Sequence, residues 1–205
     1  MIIGASPDIT MPSELSITKD DFVVCADGGY QFALENGIIP DLIIGDFDSA
    51  EYPEQFSGET IRLPRMKDDT DTMFCVKECM SRGYSDFHLI GMTGGREDHT
   101  YANFCTMLYI VKNSGTARIY DSESEMLLLQ DGSLTISGKA GAIFSVFPFG
   151  CKSCTVSLKG FLYELEKGQL TADFPLGVSN EITADDAYVN VHSGNALLMI
   201  RRQST

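Results

Sequence analysis

The chain has 205 residues, of which 43% are hydrophobic and 21% charged. That is enough apolar material to bury a core, with too little polar tract for long disordered tails. A formal net charge of −14 argues against a nucleic-acid binder, which needs a basic face. No apolar run reaches the roughly 18 residues of a membrane span.

The acid is uneven: residues 1–150 carry 23 acids against 10 bases, and residues 151–205 carry 6 against 5. Solubility is the plainer explanation from composition alone. The sharper one is that some carboxylates hold divalent cations or a cationic substrate. The six cysteines follow no signal-peptide pattern, and most sit in apolar runs, where thiols act as small hydrophobes. Cys151-Lys152-Ser153-Cys154 is a single CxxC without the further ligands zinc needs. A reduced, cytoplasmic setting is expected.

In chain order, residues 22–26 read as a buried strand ending at Asp27-Gly28-Gly29. A helical segment over 30–36 stops at Gly37, and residues 42–44 form a second strand ending at Gly45-Asp46. Residues 60–63 form a third. A helix over 69–82 stops at Gly83, residues 87–91 form a strand ending in a glycine-rich turn, and residues 98–114 form a helix. One more strand covers 117–120. Continuous apolar strands alternating with helices predict a parallel sheet covered on both faces.

From about residue 125 the pattern changes to short apolar runs over 134–136, 142–147, 154–158, 187–191 and 196–200. Turn signals separate them at Asp131-Gly132, Ser137-Gly138, Lys159-Gly160, Lys167-Gly168 and Ser193-Gly194. The expected architecture is an α/β domain over 1–123, followed by an all-β antiparallel sandwich over 124–205.

Four polar clusters fall at the carboxyl ends of the strands or on the next turn, where open parallel sheets bind ligands. In Gly45-Asp46-Phe47-Asp48-Ser49, an extended backbone puts Asp46 and Asp48 on one side and Phe47 on the other. Two carboxylates so placed suit magnesium; a plain turn uses the same residues. Asp27-Gly28-Gly29 allows close backbone approach, or an Asp27 helix cap.

Lys67-Asp68-Asp69-Thr70-Asp71 opens a helix. One member is expected to cap it, yet three acids in four residues exceed what capping needs. Lys67 can reach a phosphate, and Asp71 can complete a metal site. Thr93-Gly94-Gly95 offers backbone N–H groups to phosphate before a helix N-terminus, with Arg96 as an anion clamp, Asp98 as a cap or substrate contact, and His99 as a cap or packing residue. No GxxxxGK[ST] or GxGxxG occurs, so any ATP site here uses another scheme. Gly177-Val178-Ser179-Asn180-Glu181 is a polar cluster in the β region, read alone as a strand turn.

In this order, the clusters resemble thiamine pyrophosphokinases: Ala26-Asp27-Gly28-Gly29, the run from Pro40-Asp41 to Gly45-Asp46-Phe47-Asp48-Ser49, Lys67 to Asp71, Gly94 to His99, and Gly177 to Glu181. The resemblance spans about residues 20–200. It implies transfer of the pyrophosphoryl group of ATP to the hydroxyl of thiamine. It also implies an N-terminal domain for ATP and magnesium, a C-terminal β-sandwich, and a homodimer with thiamine bound between subunits.

Carried over, Asp46, Asp48 and Asp71 become magnesium ligands with Asp27 close by. Gly28, Gly29, Asp68, Thr70, Thr93, Gly94 and Gly95 join the nucleotide site, and Arg96 and Lys67 the phosphate contacts. Asp98, Ser179 and Asn180 become thiamine contacts. Asp71 and Asp98 are both candidates to take the hydroxyl proton. Two departures stand out. Met1 to Ser6 is short for a first strand and loop. The chain also has no Trp, leaving Phe161 or Tyr163 to cover the thiamine rings. A magnesium-dependent phosphohydrolase and a non-enzymatic nucleotide or thiamine sensor are the rival readings.

Overall fold

A computed structural model describes residues 1–7, 9–12, 15–47, 56–64, 66 and 68–201. Asp48 and Lys67, named above, lie outside the described residues. The chain divides into two compact units, Met1–Ser122 and Glu123–Thr205.

The first unit runs β1 (Ile2–Ile3), β2 (Val24–Ala26), α1 (Gly29–Glu35), β3 (Leu42–Gly45), β4 (Glu59–Arg62), α2 (Asp71–Ser81), β5 (Asp86–Ile90), α3 (Glu97–Lys112) and β6 (Thr116–Tyr120). Every strand pairing within it is parallel, in the order β6-β5-β1-β2-β3-β4. Ile2, Ile3, Val24, Cys25 and Leu42 to Ile44 are all buried. That is why these strands read as unbroken apolar runs rather than as alternation. The two-residue β1 lies between β2 and β5 at the sheet centre. A pair of residues is too short to show a period, so the sequence does not announce it. Asp41 is structural: its Oδ2 accepts the Val23 N–H at 2.7 Å, tying the starts of β2 and β3.

The second unit runs β7 (Ser124–Ser137), β8 (Ile143–Pro148), β9 (Ser153–Lys159), β10 (Leu165–Thr171), β11 (Asn180–Glu181) and β12 (Asp186–Arg201), all antiparallel to one another. Three of the expected turns are not turns. Asp131-Gly132 lies inside β7 and Ser193-Gly194 inside β12, and the β7–β12 register shifts between Val191 and Asn195. Lys167-Gly168 lies inside β10, beside another register shift. Asp131 (φ 39°), Lys167 (φ 48°) and Gly194 (φ 85°) adopt left-handed conformations. These bend a strand without reversing it, as bulges do. Turn chemistry and bulge chemistry use the same residues, and only the partner strand separates them.

Candidate active site

From β1 the chain steps outward through β2, β3 and β4, then returns on the other side of β1 to β5. The loops leaving β1 and β5 therefore diverge at the topological switch point, where such sheets bind ligands. Gly4 donates to the Ile90 carbonyl at 2.8 Å, and Ser6 Oγ donates to the Thr93 carbonyl. A cavity of about 550 Å³ opens there. Asp27 lines it from the end of β2, Asp69, Thr70 and Asp71 from the start of α2, and Gly94, Gly95 and Arg96 from the β5–α3 loop.

Asp27 does not cap α1. Gly28 holds that position without any side-chain cap. Asp27 instead sits at φ 44° with its Oδ1 buried and without a hydrogen-bond partner among the described residues. Burial first, then the charges of Asp71 and Asp46, push its carboxyl above the usual range, opposed by the backbone N–H groups of Gly28 and Phe47. Gly45 makes room for it, since a Cβ there would lie 2.9 Å from Asp27 Oδ1.

The extended geometry expected around Phe47 is not found. Phe47 adopts φ 55°, so the same-side rule for alternate residues fails at this residue. Its side chain still packs against the core beneath β1–β3, and the Arg62 guanidinium lies 5.8 Å from its ring centre.

At α2, Thr70 is the cap: its Oγ1 accepts the Met73 N–H at 3.1 Å. Asp69 pairs with Lys77 at 2.7 Å, Asp68 is exposed, and Asp71 stands in the first helical turn. In the next loop, Thr93 Oγ1 donates to Asp121 at 3.2 Å. Gly94 and Gly95 take φ 84° and 73°, a turn that L side chains resist. Arg96 and Asp98 are exposed and paired at 2.6 Å; this contact holds the Asp98 carboxyl below its ordinary range.

The cavity also uses residues that the sequence reading passed over. Gly4 to Pro7 form one wall. Asn103 is buried and donates to the Met92 carbonyl at 2.7 Å, fixing the loop after β5. Its signal was a polar residue one turn after His99, on the helix face that also carries Met107 and Ile110. Gly28 lines a neighbouring cavity of about 610 Å³ that shares the Gly4–Pro7 wall. Gly29 is a contact glycine, where a Cβ would meet the Ile3 carbonyl at 2.2 Å.

Ser179 and Asn180 belong to the second unit. Ser179 is exposed, at φ 57°, and its N–H donates to Ser145 Oγ at 3.1 Å. Asn180 is buried, with its amide directed at the main chain of Tyr163. Phe161 is 3% exposed and packs 4.6 Å from the Phe144 ring, whereas Tyr163 is 67% exposed.

Among the described residues, no three His, Cys, Asp or Glu side chains are already gathered as a metal site. The orphaned, buried Asp27 Oδ1 beside Asp46 and Asp71 nonetheless fits a hard divalent cation, which takes carboxylate oxygen. No helix among the described residues is long and apolar enough to cross a membrane.

A parallel sheet with carboxylates and a glycine turn at its switch point is built to receive a phosphate-bearing ligand. The family model described as thiamin pyrophosphokinase, catalytic domain, matches residues 14–119. The model described as thiamin pyrophosphokinase, vitamin B1 binding domain, matches residues 133–198. The chain belongs to the thiamin pyrophosphokinase family. It is 26% identical over 208 residues to thiamine pyrophosphokinase of Bacillus subtilis, covering 98% of this chain and 96% of that one. It is 24% identical to thiamin pyrophosphokinase 1 of Caenorhabditis elegans, covering 93% and 83%. A solved structure of the Bacillus subtilis protein has the same fold, with a TM-score of 0.88 at 22% identity over 99% of this chain and 98% of that one. That of Geobacillus thermodenitrificans gives 0.85 at 22% identity over 100% and 97%.

Proposed function

We propose that the chain transfers the pyrophosphoryl group of ATP to the hydroxyl of thiamine, giving thiamine diphosphate and AMP. The observation that carries this reading is the ordered match of both family models. One covers the unit with the carboxylate-lined cleft, the other the unit with Ser179 and Asn180.

In the reaction, the thiamine hydroxyl oxygen attacks the β-phosphorus, the bond from that phosphorus to the α-phosphate oxygen breaks, and AMP departs. Asp27, Asp46 and Asp71 would hold magnesium, with Asp48 as the further expected ligand. Bound magnesium supplies the positive charge that offsets phosphate repulsion. The Gly94-Gly95 turn and the start of α3 present backbone N–H groups to phosphate oxygens. Arg96 exchanges its Asp98 partner for phosphate, and Lys67 is assigned a second phosphate contact. Asp68, Thr70 and Thr93 shape the loops that carry these groups. Asp71 and Asp98 are the two candidates to take the hydroxyl proton, Asp98 becoming available once Arg96 has turned to phosphate.

We read the second unit as a β-sandwich. The first half of β12 pairs with β9 and the second half with β8, the change falling at the bulge near residue 193. An apolar cluster with members from Leu127 to Ile200 packs the unit. The homodimer is part of this reading: Phe174, Leu176 and Val178 are exposed apolar side chains suited to cover by a second copy. So is a cytoplasmic setting, supported by six free thiols.

The test is AMP formation from Mg·ATP with and without thiamine, with the product mass measured. Thiamine-dependent AMP together with thiamine diphosphate supports the assignment. Phosphate released without thiamine points to a hydrolase, and binding without turnover points to a sensor.

A further inference from the structure

We infer that Asn180 is a positioning residue for thiamine recognition, clamping the main chain of Tyr163 so that its exposed ring is held ready for a flat cationic heterocycle. This rests on the proposed substrate. The resemblance implied that Asn180 touches thiamine itself. The geometry assigns the amide elsewhere.

The Asn180 side chain is 7% exposed. Its Oδ1 accepts the Tyr163 N–H at 3.0 Å and the Glu181 N–H at 2.8 Å, and its Nδ2 donates to the Tyr163 carbonyl at 2.8 Å. A primary amide with both oxygen sites and one of its two N–H groups engaged has little capacity left for a ligand. The rest of the segment is tied down as well. Gly160 N–H donates to Glu164 Oε1 at 2.8 Å. Phe161 bridges to Ile182 and seats its ring in the core. Leu162 N–H donates to the Glu181 carbonyl at 2.8 Å.

The product of this bonding is Tyr163, 67% exposed on an anchored backbone, with Leu162 beside it at 56%. Water penalises an exposed apolar ring, and a loose loop would fold it down. Held outward, a tyrosine with two rotatable bonds gives contact area at low entropic cost. Its π-face attracts a cation that has shed its water, and the thiazolium of thiamine carries a fixed positive charge.

The chain has no Trp, so Tyr163→Trp installs a sole indole reporter at this position. Thiamine is titrated against it by fluorescence without ATP, and KM for thiamine and for ATP are measured in the otherwise natural chain. In both backgrounds Asn180→Asp keeps an acceptor for the Tyr163 and Glu181 N–H groups but sets a carboxylate oxygen against the Tyr163 carbonyl in place of the donor, opening the clamp. We expect it to raise the thiamine Kd and KM about tenfold, the size of one weakened cation–π contact. The KM for ATP stays unchanged, and the indole anisotropy falls. Asn180→Ala goes further in the same direction. Should it fail to fold, Tyr163→Ala, which leaves the clamp in place, must raise the thiamine KM by a similar factor. Unchanged thiamine affinity in Asn180→Asp, or equal rises in both KM values with a lower Tm, overturns the inference. Wild-type protein that binds no thiamine at all overturns the functional reading with it.

Discussion

Gly4 and Gly91 face each other across the ends of β1 and β5: a Cβ on Gly4 would lie 2.6 Å from the Gly91 carbonyl, and one on Gly91 would lie 2.7 Å from the Gly4 carbonyl. Real side chains do not approach backbone this closely, so both positions require glycine for contact, and Gly91 also for its φ of 70°. The pair sets how far apart the two loops begin, and the cleft opens between those loops.

Gly4→Ala and Gly91→Ala should each cost about 1–3 kcal/mol in denaturant unfolding. Each should also lower kcat/KM about 100-fold, the effect of shifting reacting groups by about 1 Å. Gly37→Ala is the control. Its φ of 66° is strained, but no atom lies within 4 Å of the new Cβ. It should lose about 1 kcal/mol and keep full activity. Activity surviving Gly4→Ala would separate the glycine contact from the site.

Asp71→Asn should reduce kcat by about 1000-fold with little change in Tm, because the α2 cap belongs to Thr70. Thr70→Ala should do the reverse in its stability readout, lowering unfolding free energy by about 1 kcal/mol. Near-normal turnover in Asp71→Asn removes Asp71 from the reaction.

Asp27 gives a pH signature. Its carboxyl is raised in the fold by burial and by Asp71 and Asp46. The folded chain therefore binds this proton more readily than the unfolded chain does. Through this group, metal-free stability is greatest when Asp27 is protonated and falls as pH rises through the folded pKa. A divalent cation offsets that loss, so the Tm gain on adding magnesium should grow with pH. Asp27→Asn should flatten the metal-free pH profile and shrink the magnesium-induced Tm gain. A wild-type magnesium response in this variant would exclude Asp27 from the cation site.

Phe161→Ala should cost about 3–5 kcal/mol in unfolding, as expected for a buried ring, because its ring packs on Phe144 in the second core. Calorimetry with the unliganded protein checks this. A loss below about 1 kcal/mol would mean that the ring does not carry the packing its burial indicates.

The sequence alone determined the parallel unit and the positions of its polar clusters. Buried parallel strands leave unbroken apolar runs, and the polar residues that end them stay next to those runs in the chain. Asp27 and the Gly94-Gly95 turn were legible for that reason, and Asp71 because it opens the helical run of α2. Other features depended on contacts between distant residues. The two-residue β1 gains its central place only by pairing with strands that begin at Val24 and Asp86. Asp131-Gly132 and Ser193-Gly194 are bulges because β7 and β12 continue to pair beyond them. Phe47 turns left-handed where a local rule expects extension. An asparagine in a polar cluster has the same chemistry whether its amide meets a ligand or a backbone. Tertiary structure decided this for Asn180, by bringing Tyr163, 17 residues earlier, within hydrogen-bond reach.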